Sequence, residues 1–158
     1  SFHHYMIMLN GLYRDYRAFS AMDHAPEGFS WLAMNDQGHD VFAIRRNAET
    51  ERDRNGTGRV QEQNGSNRTE KAEKKQNEET DGVFDRDLAA LFNFSARERR
   101  LTLRTEREEV WELMLHTDWE RWSGSRKEEP EIARLRPGDT WTFTLPPFSG
   151  ALYRIRPV

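Results

Sequence analysis

DTWTFTLPPFSGALYRIR, residues 139–156, holds two period-two runs separated by a pair of prolines. Trp141, Phe143 and Leu145 recur at every second position with Thr140, Thr142 and Thr144 between them. After Pro146 and Pro147, Ala151, Tyr153 and Ile155 alternate with Leu152, Arg154 and Arg156. Successive strand side chains point to opposite faces, so each run predicts a β-strand with one buried face. Proline donates no ladder hydrogen bond, which puts the corner between the strands at 146–147. The unit is a β-hairpin or a β-arch, and it needs further strands to cover its apolar face.

Those strands can be read upstream. Residues 29–34 and 41–45 are two short candidates, joined by Asn35-Asp36-Gln37-Gly38, which has the turn chemistry of a hairpin. Residues 86–94 (RDLAALFNF) have a core-strand composition, 99–105 (RRLTLRT) alternate with Leu101 and Leu103 inward, and 110–115 (VWELML) form another strand. Residues 116–130 read as a long polar connection, and Arg136-Pro137-Gly138-Asp139 as a tight turn. About seven short strands separated by turn signals predict a mainly β fold, an antiparallel β-sandwich. One helix precedes them: Tyr5, Leu9, Leu12, Tyr16 and Phe19 keep helical spacing, with Met8 and Tyr13 widening the apolar stripe. Residues 23–28, with Pro26 and Gly28, are a loop.

The chain has 158 residues, 35% hydrophobic and 32% charged, enough for one domain with a core but with a part that does not pack. That part is 47–82, almost wholly polar and unable to offset about 1–2 kcal/mol of backbone entropy per residue. It predicts a disordered surface insertion, with a short solvated helix possible at 69–79. Its charges are mixed, so it is no polyionic arm. The net charge of −3 argues against a nucleic-acid partner. With no cysteine there are no disulfides or thiolate metal sites, and a reducing, cytoplasmic compartment fits. No apolar run is long enough to cross a membrane as a helix. The opening SFHHYMIMLNGLY starts as if inside a helix, which suggests a piece of a longer protein.

Chemistry is sparse. His3 and His4 are adjacent, which on a helix places them on different faces, and no third ligand stands at metal spacing. His24, His39 and His116 are scattered. No cofactor or metal is expected, and no catalytic carboxylate pair can be picked out. Asn55, Asn64, Asn67 and Asn93 each open a glycosylation-type triplet. Trp31, Trp111 and Trp141 sit in strands and read as structural. Trp119 and Trp122 stand among polar residues in HTDWERWSGS. Their plainer reading is a packed loop anchor; the alternatives are stacking on a sugar ring or contact with a neighbouring domain.

Three stretches resemble one family, the 1,4-alpha-glucan branching enzymes of the alpha-amylase superfamily. LNGLYRDYRAF, within residues 5–19, looks like the helix that ends the family's catalytic barrel. MDHAPEGFSWL, residues 22–32, resembles its D-x-x-P-x-G-F-x-W run, continued by VFAIRR at 41–46. WELMLHTD, residues 111–118, resembles its E-x-L-N-T-D segment, with His116 where asparagine is usual. LPPFS, residues 145–149, is similar to the closing motif of the wider superfamily.

The resemblance implies an enzyme that cuts an α-1,4-glucan chain and transfers it to a 6-hydroxyl, making the α-1,6 branches of glycogen or starch. Its retaining chemistry uses a carboxylate nucleophile and an acid/base on a barrel. Those residues lie upstream of the helix, so no catalytic residue is carried over and the chain alone is expected to be inactive. By this reading residues 1–20 are the last helix of a (β/α)8 barrel and 21–158 a C-terminal β-sandwich domain. The expected partners are α-glucan and the missing barrel, with Trp119, Trp122, Thr117 and Asp118 as candidates for glucan or domain-interface contact. The competing readings are a free-standing carbohydrate-binding module, whose glycogen affinity would depend on Trp119 or Trp122, and the equivalent domain of a related amylase or debranching hydrolase.

Overall fold

A computed structural model describes residues 2–34, 40–48 and 86–158. The turn expected at 35–38, His39, the polar insertion beyond Ala48, its helix at 69–79 and the triplets at Asn55, Asn64 and Asn67 lie outside the described residues. The chain begins with helix α1 (Phe2–Asp15) and two short 3-10 turns, Arg17–Phe19 and Pro26–Gly28. Eight strands follow: β1 (Phe29–Met34), β2 (Val41–Arg46), β3 (Asp87–Asn93), β4 (Arg99–Arg104), β5 (Glu109–His116), β6 (Ile132–Leu135), β7 (Thr140–Leu145) and β8 (Ser149–Pro157). All paired strands are antiparallel. They form a six-stranded sheet ordered β1-β2-β3-β8-β5-β6 and a two-stranded sheet β4-β7, a sandwich-like arrangement.

The two closing strands belong to different sheets. β7 pairs with β4, whereas β8 lies between β3 and β5, so the double proline makes an arch and not a hairpin. Phe148 turns the corner with φ of 50°, and its N–H donates to the Ser95 carbonyl at 3.0 Å. The arch is held from below by Asn93, which is only 1% exposed. Its amide nitrogen donates toward the carbonyls of Arg97 (2.8 Å), Leu145 (3.0 Å) and Pro146 (2.8 Å). Its Oδ1 accepts from the Ser95 N–H and hydroxyl. A side chain so engaged is no glycosylation acceptor, whatever the triplet 93–95 spells.

Between the sheets lies an aromatic core. Trp141 and Phe143 of β7 have ring centroids 4.2 Å apart, Phe143 meets Tyr153 at 5.2 Å, and Trp111 reaches Phe143 at 5.9 Å. Leu101 and Leu103 point into the same core from β4, as their alternation with exposed Arg100, Thr102 and Arg104 requires. A polar group is also buried here. Arg45 binds Asp87 at 2.6 Å and Glu109 at 2.8 Å, linking β2, β3 and β5. Asp87 accepts from the Ala48 N–H, and Glu109 accepts from the Trp111 indole, so the remaining carboxylate oxygens are used. Burial alone would lower the Arg45 pKa, but Glu109 and Asp87 together hold it above its ordinary value.

Three expectations are corrected. The helix ends at Asp15: Tyr16 is extended (φ −115°, ψ 112°), and Phe19 lies in the 3-10 turn. The break lets Tyr16 and Ala18 bury against the sheet, where Arg46 donates to the Ala18 carbonyl and Arg154 donates to the Tyr16 hydroxyl. The region after His116 also holds a strand the periodicity did not reveal, β6, which pairs with β5 at the sheet edge. Finally, Trp31 is 53% exposed and contributes little to the core. It sits on β1, which among the described strands has a neighbour on one side only.

Replacing Asn93 with alanine removes the amide donor from the buried Leu145 carbonyl and from the part-buried Arg97 and Pro146 carbonyls, which keep only the Ser95 and Ser149 hydroxyls. Asn93→Ala is expected to lower the unfolding free energy by about 3 kcal/mol in urea titrations; a loss under about 1 kcal/mol contradicts the clamp.

Candidate functional site

The loop that the sequence singled out closes on itself. Thr117 and Gly150 exchange hydrogen bonds, the Thr117 N–H donating to the Gly150 carbonyl at 2.9 Å and the Gly150 N–H to the Thr117 hydroxyl at 2.8 Å. The Asp118 carboxylate accepts from the Ser125 N–H and from its hydroxyl at 2.7 Å, and the Arg126 N–H donates to the Asp118 carbonyl. A Cβ at Gly124 would overlap the Asp118 backbone, so only glycine permits this closure. Trp119 hangs inward from the loop and is 3% exposed. Trp122 is half-buried, and its ring meets Tyr5 of α1 edge-on at 5.4 Å. Arg121 caps the ring with its guanidinium 4.8 Å from the centroid.

The structure therefore gathers Thr117, Asp118, Trp119 and Trp122 into one loop and engages the Thr117 and Asp118 polar groups internally, while the buried indole N–H groups of Trp119 and Trp122 have no hydrogen-bond partner among the described residues. Trp119 is the packed anchor, with no free ring face for a ligand. Trp122 joins loop to helix, which is a contact between the two segments the sequence reading separated at residue 20.

The exposed aromatic surface lies elsewhere, on the outer face of the six-stranded sheet. Phe29 meets Trp31 at 5.2 Å and Trp31 meets Phe42 at 6.1 Å. Phe42 meets Phe94 at 5.8 Å, and Phe94 stacks on Phe92 with planes 13° apart. These rings run across β1, β2 and β3 in one track. Gly150 of β8 leaves room at its end: a Cβ there would stand 3.2 Å from the Phe92 ring. Phe94 is 61% and Phe148 70% exposed. At about 4.8 Å between neighbouring strands, a track over three to four strands is on the order of 10–15 Å long. Phe29, Trp31 and Phe94 are exposed and Phe42 and Phe92 half-buried, and a contiguous aromatic surface of this kind is a candidate contact site. A sequence signal for it existed. Phe29 with Trp31, and Phe92 with Phe94, stand two apart within strands and so share a face.

Among the described residues the titratable groups do not assemble an acid/base pair. Asp87 and Glu109 are both paired with Arg45. Glu131 accepts from the Tyr153 hydroxyl at 2.8 Å and pairs with Arg126. Burial, reinforced by Glu131, pushes the Tyr153 pKa up. Glu112 is bound to Arg154, whose pKa is raised first by that hydrogen bond. Among the described residues no three His, Asp or Glu side chains are grouped as metal ligands, and no helix is long and apolar enough to cross a membrane.

No family model matches the chain. The 1,4-alpha-glucan branching enzyme GlgB of Cupriavidus necator is 50% identical over 40 residues, and that of Ralstonia nicotianae 53% identical over 38 residues. Those stretches are 25% and 24% of this chain, and the chain spans only 5% of the length of either relative. A solved Bacillus halodurans structure assigned as an alpha-N-acetylgalactosaminidase aligns with 82% of this chain and 21% of its own, at 14% identity and a TM-score of 0.40. A similarity to glycogen branching enzymes over about a quarter of the chain is thus the sequence finding, on a mainly β, sandwich-like fold.

Trp119 and Trp31 should respond oppositely to truncation. Trp119→Ala is expected to cost about 3–5 kcal/mol of stability, and Trp31→Ala less than about 1 kcal/mol. Equilibrium denaturation of the two variants checks this, and the reverse order would show that anchor and surface ring are wrongly assigned.

Proposed function

We propose that this chain is the C-terminal portion of a 1,4-alpha-glucan branching enzyme, and that its aromatic track contacts α-glucan. The branching-enzyme reading is supported by about 50% identity over some 40 residues to two such enzymes. The glucan contact is carried by the track Phe29-Trp31-Phe42-Phe94-Phe92, whose rings lie side by side across adjacent strands. Glucose rings present apolar C–H faces, and a line of aromatic faces and edges at sheet spacing offers them successive contacts at low conformational cost.

In this reading the parent enzyme transfers α-1,4-glucan segments to 6-hydroxyls by the retaining chemistry of a barrel, in a reducing, cytoplasmic setting. The sandwich contributes no reacting group. It holds glucan near the barrel and supports the barrel through α1. Two features of α1 support that second role. Its inner side is tied to the sandwich through Tyr5 and Trp122, and the following residues by Arg46 and Arg154. Phe2 and Tyr13 on one flank of the helix and Ile7 on another stay more than half exposed, apolar side chains available to a neighbouring element. Trp122 and the 117–118 segment then serve the domain interface, with Trp119 as its anchor. A free-standing carbohydrate-binding module is the alternative that the same track favours.

Affinity electrophoresis of the chain in glycogen-containing gels tests the glucan contact. Retardation is expected for the unaltered chain, with at least a fivefold loss of affinity, about 1 kcal/mol, in a Trp31→Ala, Phe94→Ala double variant that keeps its fold. Equal retardation of both proteins, or none of either, would overturn the track as a glucan site.

A further inference from the structure

The fully buried His116 adds a property that none of the preceding functions uses. We infer that His116 is an acid-sensitive latch: its uncharged imidazole holds the loop 117–126, and through Trp122 the helix α1, against the sandwich, and protonation lets them go.

The geometry is specific to this side chain. A register shift between Leu113 and Leu115 places His116 opposite Ala151, on the face of β5 turned to the sandwich interior, and the residue is fully buried. Its Nδ1 accepts a hydrogen bond from the Asp118 N–H at 3.0 Å. An asparagine carbonyl makes the same bond to the residue two positions on, the Asx-turn geometry, so histidine here reproduces the asparagine acceptor. The difference is that an imidazole titrates. With Nδ1 as acceptor, the ring proton sits on Nε2, which finds no hydrogen-bond partner among the described residues. A proton added from solvent must go to Nδ1. There it faces the Asp118 N–H, turning an acceptor–donor pair into two opposed donors and placing a cation in the interior.

The charged surroundings set the sign. The groups that face the ring are Arg126, Asp118 and Glu131, the last held by Arg126 and by the Tyr153 hydroxyl. Burial pushes the His116 pKa down to about 4, Arg126 adds to the depression, and Asp118 and Glu131 oppose it. Unfolded, the same imidazole titrates near 6.5. Between those values the unfolded or released form binds more protons, so acidification from about 6.5 toward 4 favours release, and the latch is fully set above 6.5. What it holds is the start of a loop whose Trp119 N–H donates to the His116 carbonyl, whose Trp122 N–H donates to the Trp119 carbonyl, and whose Trp122 ring meets Tyr5.

Two-dimensional NMR of the chain between pH 7.5 and 3.5 decides the matter, following the His116 ring protons, the Asp118 amide and the Trp122 indole N–H. The three are expected to move in one shared transition with its midpoint at least one pH unit below 6.5. In His116→Asn, whose amide oxygen accepts without titrating, the Asp118 and Trp122 signals are expected to lack that transition. His116 titrating near 6.5 with the Asp118 amide stationary would overturn the latch. So would identical movement of the amide and indole in both proteins. Should the asparagine variant fail to fold, the unaltered chain still answers: coincident midpoints support the latch, and separate midpoints refute it.

Discussion

The fold depends on how the chain crosses from the small sheet to the large one. β7 cannot run on into β8 as a ladder partner, because Pro146 and Pro147 have no N–H to give and Phe148 reverses the backbone. The crossing leaves the Leu145 carbonyl buried and the Pro146 carbonyl part-buried, the latter also bound by the Ser149 hydroxyl. Asn93, at the end of β3, takes them, and its own oxygen orders the Ser95 turn leading to β4. One side chain thus ties the end of β7, the end of β3 and the entry to β4. With the arch fixed, β8 falls between β3 and β5, and Tyr153 meets Trp141 and Phe143 across the sandwich. The aromatic core is a consequence of this crossing as much as of hydrophobic pattern.

The same placement divides the outer face of the large sheet. At one end Arg46 and Arg154 hold the turn after α1, burying Tyr16 and Ala18. At the other end no helix among the described residues lies over the rings of Trp31 and Phe94, which are more than half exposed. In the proposed reading, support and recognition share one surface without competing. An α-glucan along the track would lie on the sheet face that also carries α1. In the proposed parent enzyme that face points the bound chain toward the neighbouring domain, a role for the sandwich that needs no catalytic group of its own.

Most of the strands were legible because their alternation is strong. Leu101 and Leu103, or Trp141, Phe143 and Leu145, leave little freedom of register. β6 was not legible: IARL is four residues long, follows a Glu-rich stretch and exposes Ile132, so its pairing with β5 is a tertiary fact. The helix was read too long because Tyr16 and Phe19 preserve helical spacing while serving the sheet from non-helical backbone. Sequence neighbours alone mislead about the tryptophans: they hold for Trp119 only under its plainer reading as a packed anchor, and they fail for Trp31. Polar neighbours surround Trp119, yet the loop closes around Asp118 and drives the ring inward. Apolar neighbours surround Trp31, yet β1 has only one neighbour among the described strands and Trp31 is exposed. Periodicity identifies a face, and only topology says what covers it.

The measurement that bears most directly on the account is an NMR titration of the chain with a linear malto-oligosaccharide, mapping which backbone amides and aromatic side chains shift. The account predicts shifts concentrated at Phe29, Trp31, Phe42, Phe92 and Phe94, with the 117–126 loop unchanged. Shifts centred on that loop, or none at saturating sugar, would contradict it.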